Sequence, residues 1–96
     1  MLNAMIVDDE APARSELRYL LEETGRMGTI VEAASAREAV ERMMEARADV
    51  LFLDIQVPDM SGMEVAKHIR AVDEKVIIIF ITNICTCTCF FIYIII

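Results

Sequence analysis

Short apolar runs alternate with amphipathic segments along most of this chain, and that alternation limits the folds open to it more than any other feature. The apolar runs are residues 2–7, 29–34, 50–53 and 76–81. Runs of this length between turn signals suit strands buried on both faces, as a parallel sheet requires. Between the first two, Leu17, Leu20, Leu21 and Thr24 recur at helical spacing, with Arg14, Arg18, Glu22 and Glu23 on the solvated side. Pro12 suits a first helical turn, and Gly25 and Gly28 bracket the stop, which predicts a helix of about four turns. Ser35 and Glu38 have the spacing of a capping box, ahead of a helix that buries Ala39, Val40, Met43 and Met44. A third helix opens at Ser61 or Gly62, carrying Met63, Ala66 and Ile69 inward and Glu64, Lys67 and Arg70 outward. Alternating strands and helices with short connections predict an α/β fold, a doubly wound parallel sheet with helices on both faces.

A chain of 96 residues makes one domain at most. Its net charge of −7 speaks against direct nucleic-acid contact by this chain and suits a divalent cation or a basic partner. The N-terminus lacks the basic start and apolar core of a signal peptide, so a cytoplasmic location is expected. All charged residues lie between Asp8 and Lys75, and residues 76–96 carry none. That stretch is long enough to be a membrane-span candidate, but Thr82, Asn83, Thr86, Thr88 and its β-branched content favour strands. The methionines read as core filler, and His68 as a surface residue with no metal-ligand spacing around it. Cys85, Cys87 and Cys89 alternate with threonine and read as reduced structural thiols. No glycine-rich phosphate loop is present.

Chemistry concentrates in the carboxylates. Asp8, Asp9 and Glu10 follow the first run, and Asp54 follows the third. Open parallel sheets place ligands in the crevice beyond the carboxyl ends of their strands, so Asp8 and Asp9 can meet Asp54 there. Taken alone, Asp54 also reads as the end of a strand entering a turn. Three carboxylates in one crevice resist ionising together, and a divalent cation resolves that conflict. Hard oxygen ligands without histidine or cysteine favour Mg²⁺ over zinc. Such a site can neutralise an incoming phosphoryl group and orient one carboxylate as nucleophile.

The runs Met5-Ile6-Val7-Asp8-Asp9-Glu10, Leu51-Phe52-Leu53-Asp54-Ile55-Gln56-Val57-Pro58, Ser61-Gly62 and Phe80-Ile81-Thr82 together resemble the receiver domain of two-component response regulators. The resemblance covers roughly residues 2–82 and implies the flavodoxin-like strand order 2-1-3-4-5. It implies that Asp54 is the aspartate that accepts a phosphoryl group from a phosphohistidine on a sensor histidine kinase. Asp9 and Asp54, with the backbone carbonyl of Gln56, would hold Mg²⁺, and Asp8 would act on it mainly through water. Thr82 would be the switch hydroxyl, while Pro58 and Gly62 would shape the loop after the acceptor. The segment from Asp8 to Arg14 is also similar to receivers attached to LytTR-type DNA-binding outputs.

After Thr82 the chain departs from that family. Receivers continue with a fourth helix, a fifth strand ending in an active-site lysine, and a fifth helix, whereas here no lysine follows Lys75. The expected organisation is a receiver-like domain over 1–82 and an uncharged Cys/Thr/Ile-rich tail over 83–96 in place of those elements. The sheet would then be incomplete after its fourth strand, whose exposed edge, or the tail, would promote homo-oligomers. Residues 90–96 also have the β propensity to form a strand of their own. Two other readings stay open. The missing lysine fits a degenerate interaction module that is never phosphorylated. A small Mg²⁺-dependent aspartyl phosphatase is the other, although such enzymes commonly carry a second aspartate where this chain has Gln56.

Overall fold

A computed structural model describes residues 1–55, 57–83 and 90–95. In chain order the elements are β1 (Leu2–Val7), α1 (Ala11–Glu23), β2 (Met27–Ala33), α2 (Ala36–Glu45), β3 (Val50–Asp54), α3 (Gly62–Val72), β4 (Ile77–Asn83) and β5 (Phe90–Ile95). They form one sheet in the order β2-β1-β3-β4-β5. The pairs β1–β2, β1–β3 and β3–β4 are parallel. The crossovers α1, α2 and α3 supply the length that parallel neighbours need.

Side-chain alternation along the strands divides the core in two. Met5, Val7, Leu51, Leu53, Ile78 and Phe80 pack with Ala39 and Met43 of α2 and with Val65 and Ile69 of α3. Ala4, Ile6, Val50, Phe52 and Ile81 pack on the opposite face with Leu17 and Leu21 of α1. This is the expected doubly wound arrangement: β1 from Ala4 onward and β3 up to Leu53 are buried on both faces because each face has its helix layer, while β2 at the sheet edge is only partly buried.

The helix caps follow their sequence signals with small changes. The Ser35 hydroxyl accepts from the Glu38 N–H at 3.1 Å, while the Glu38 carboxylate accepts from Ala34, one residue before the position a standard capping box uses. The Ser61 hydroxyl accepts from the Glu64 N–H at 3.3 Å and opens α3. Gly28 lies within β2 and does not bracket the stop of α1; Gly25, with a φ of 67°, provides the left-handed turn.

Several inward assignments are corrected. Met44 is 72% exposed, Met63 56% and Leu20 47%, because a residue one or two positions away takes the core position, Met43 and Leu21 for the first and last. Val65 takes that position in α3. Arg70, expected outward, folds back so that Nη1 donates to the carbonyls of Glu74 and Val76, securing the turn into β4. His68 is exposed, as expected.

The fourth strand is not left as an edge. β5 pairs with it antiparallel, with Ile81 opposite Ile92 and Thr82 opposite Phe91. Residues 84–89 separate the two strands, far fewer than the dozen or more that a parallel crossover needs, so the hand of the pairing follows from connection length. The uncharged C-terminal stretch thus contributes two strands, and among the described residues no helix is long and apolar enough to cross a membrane.

Candidate functional site

Register brings the acidic residues together. Val7 of β1 and Leu53 of β3 are partners, so Asp8 and Asp54 are the next residues on adjacent parallel strands. Neighbouring strands lie about 4.8 Å apart, which sets the scale of their separation. One carboxylate oxygen each from Asp8, Asp9 and Asp54 can be chosen so that all lie within 4.8 Å of one another. Asp8 and Asp54 are half-buried and Asp9 is exposed, so the group opens to solvent on one side.

Backbone bonds hold the strand ends that carry these groups. The Asp8 N–H donates to the Ala33 carbonyl at 3.1 Å, and the Ile55 N–H to the Ile81 carbonyl at 3.2 Å. The Asp8 carboxylate accepts from the Glu10 N–H at 2.9 Å, which turns the chain into α1. Arg14 anchors that helix: its Nη1 donates to the Asp8 carbonyl at 2.7 Å and its Nε to Glu32 at 3.0 Å. Arg18 reaches the other oxygen of Glu32 at 2.7 Å and the Ile30 carbonyl at 2.7 Å. Those hydrogen bonds, the one from Arg18 foremost, hold the Glu32 carboxyl below the usual carboxylate range. Arg14 and Arg18 were read as solvated; the lone acidic residue of β2 facing two arginines one turn apart is the signal for this clamp.

Burial pushes the Asp8 carboxyl from 3.8 up to about 6, with the Glu10 N–H opposing and Asp54, Asp9 and Glu10 adding repulsion. A group so placed is stabilised in its charged form by a cation. Three carboxylates within mutual reach, partly desolvated and crowded by like charge, form a hard-oxygen donor set that fits Mg²⁺. Gln56, whose backbone carbonyl was expected to join them, lies outside the described residues. Thr82 follows Ile81, the register partner of Asp54, in β4. Its hydroxyl lies outside what is described.

The loop after Asp54 is packed closely at its far end. The Gly62 N–H donates to the Ile55 carbonyl at 3.0 Å. A Cβ built on Gly62 would sit 2.7 Å from the Ile55 Cα and 3.2 Å from the Asp54 carbonyl oxygen, against backbone that cannot rotate away. Gly62→Ala is therefore expected to cost about 1–3 kcal/mol. Thermal unfolding should read this as a fall in melting temperature of roughly 4–8 °C per kcal/mol. Pro58 is exposed in this loop and Val57 is buried beneath it.

Comparison with known proteins gives the family and agrees with the fold. The family model for the response regulator receiver domain matches residues 4–88. A sensory transduction protein LytT from Bacillus cereus is 43% identical over 82 residues, covering 85% of this chain and 33% of the relative. A transcriptional regulatory protein LytR from Staphylococcus aureus is 40% identical over 81 residues, covering 84% and 33%. The chain thus spans about a third of the length of these curated relatives. Among solved structures, response regulator protein TrrA from Thermotoga maritima, in complex with Mg²⁺ and BeF, superposes with a TM-score of 0.79 at 35% identity, covering 85% of this chain and 70% of that one. The match spans most of the chain, and this chain belongs to the response regulator receiver domains of two-component signalling.

Proposed function

We propose that this chain is a phosphorylatable switch, in which Asp54 accepts a phosphoryl group from a phosphohistidine on a sensor histidine kinase. The observation that carries this reading is the convergence of Asp8, Asp9 and Asp54 at the carboxyl ends of β1 and β3. The similar TrrA structure, solved with Mg²⁺ and BeF, supports it.

An Asp54 carboxylate oxygen attacks phosphorus in line with the leaving imidazole. The P–N bond breaks, the O–P bond forms, and the imidazole leaves with the bonding pair, so the product is an acyl phosphate on Asp54. Such a transfer asks for positioning and charge neutralisation more than for acid-base groups. Asp8 and Asp9, with Asp54 itself, would hold Mg²⁺, which when bound offsets the charge of the phosphoryl oxygens. Asp54 presents its carboxylate from a strand end fixed on both sides by β1 and β4, so little reorganisation is needed before attack. Thr82, next along β4, would read the phosphorylated state and pass it to the adjoining surface.

The test is the intact mass of the chain after incubation with a small acyl phosphate, with Mg²⁺ and with chelator. The expected result is a gain of one phosphoryl group that requires Mg²⁺. Mg²⁺ binding without any gain would support the non-phosphorylated interaction module. Sustained hydrolysis of a generic phosphate ester would support the phosphatase instead.

A further inference from the structure

The segment joining Asp54 to α3 is tied at its ends by backbone hydrogen bonds, from Ile55 to Ile81 and from Gly62 to Ile55. Its middle is tied differently. One carboxylate oxygen of Asp59 accepts from the Ala36 N–H at 3.0 Å and the other from the Arg37 N–H at 3.1 Å. Those are the first two N–H groups of α2, which have no acceptor within the helix. Ser35, the N-cap residue, caps the Glu38 N–H and leaves these two to Asp59. Both bonds are charge-assisted, and they hold the Asp59 carboxyl below its ordinary range although the residue is exposed.

Sheet order gives this tie its significance. β1 lies between β2 and β3, so the connection leaving β3 is bound to the helix that follows β2. The two connections flanking the end of β1, where Asp8 and Asp9 project, are thereby joined to each other. Met60 and Val57 pack against the same core as α2, which keeps the loop seated beneath the tie.

We propose that Asp59 is a positioning residue for the acidic site: by binding the N-terminus of α2 it sets the path of the loop after Asp54 and so the placement of the oxygens around a bound Mg²⁺. This rests on the metal-binding reading of Asp8, Asp9 and Asp54. Asp59 touches neither the metal nor the phosphoryl group, and its effect passes through the loop backbone.

The experiment is a calorimetric Mg²⁺ titration of the wild-type chain, Asp59→Ala, Asp59→Asn and Ser35→Ala. Asp59→Ala is expected to weaken Mg²⁺ binding about tenfold, the lower end of the effect of outer-shell partners. Asp59→Asn should fall between it and wild type, since the amide oxygen can accept one of the two bonds. Ser35→Ala removes a cap from the same helix without touching the loop; it should lower the melting temperature and leave Mg²⁺ affinity within about twofold. If Asp59→Ala fails to fold, Asp59→Asn carries the comparison. Wild-type affinity in the Asp59 variants would overturn the proposal, as would an equal loss in Ser35→Ala, because fraying of α2 would then be the cause. Absence of Mg²⁺ binding in the wild type would overturn the metal reading itself, whereas binding by wild type and variant alike overturns only the role of Asp59.

Discussion

Asp54→Ala is expected to abolish phosphoryl incorporation from a small acyl phosphate, reducing the labelled fraction to background in intact-mass spectra while His68→Ala labels like the wild type. Alanine removes the oxygen that forms the new bond, so no change of conditions restores it. The nearest substitutes are Asp8 and Asp9, each with a carboxylate oxygen within 4.8 Å of one on Asp54. They follow β1, however, whereas Asp54 ends β3, so a phosphoryl donor positioned for Asp54 is not positioned for them. His68 stands exposed on α3 with no part in the cluster, which makes it a control for indirect effects. Mg²⁺-dependent labelling of the Asp54→Ala chain would place the nucleophile elsewhere and overturn the assignment.

The central part of this architecture was legible because its signals are local. Leu51, Phe52 and Leu53 are apolar in succession, and only a strand covered on both faces buries all three, as β3 does. The chemistry was legible for a related reason: parallel strands end together, so two acidic turns at corresponding positions converge whatever lies between them. Residues one step apart on a helix were harder. Met43 and Met44 are equally apolar, and only the angle at which α2 meets the sheet buries the first and exposes the second. Of the two readings of the C-terminal stretch, an exposed β4 edge and a strand of its own, β5 matches the second, and the short connection to residues 90–95 allows its antiparallel return. Asp59 and Glu32 were hidden for another reason. Their hydrogen-bond partners are distant in sequence, on different elements, and no periodicity announces a side chain that caps a remote helix or clamps two arginines.

The acidic site should make both metal affinity and stability depend on pH, through Asp8. Its carboxyl stands at about 6 in the folded chain against 3.8 when unperturbed, chiefly because of burial. With the folded value above the unfolded one, protonation favours the folded state. The stability contributed by this group is therefore full below the unfolded value and is lost as pH rises through about 6. The whole difference would correspond to about 3 kcal/mol. Since Asp8 is half in water, screening leaves on the order of 1 kcal/mol. Asp8→Asn should thus stabilise the metal-free chain by on the order of 1 kcal/mol at about pH 7.5, with the gain vanishing toward about pH 4. Asparagine keeps an oxygen for the Glu10 N–H, so the entry to α1 is preserved. Mg²⁺ works in the opposite sense, because it needs the carboxylate ionised. Wild-type affinity should fall about tenfold for each unit of pH below about 6, and Asp8→Asn should bind more weakly at neutral pH but lose that slope. Calorimetric titrations and chemical denaturation of both chains across this range measure the two effects separately. A wild-type affinity that stays flat through about pH 6 would show that Asp8 is not linked to the metal, and would leave Asp9 and Asp54 to hold it.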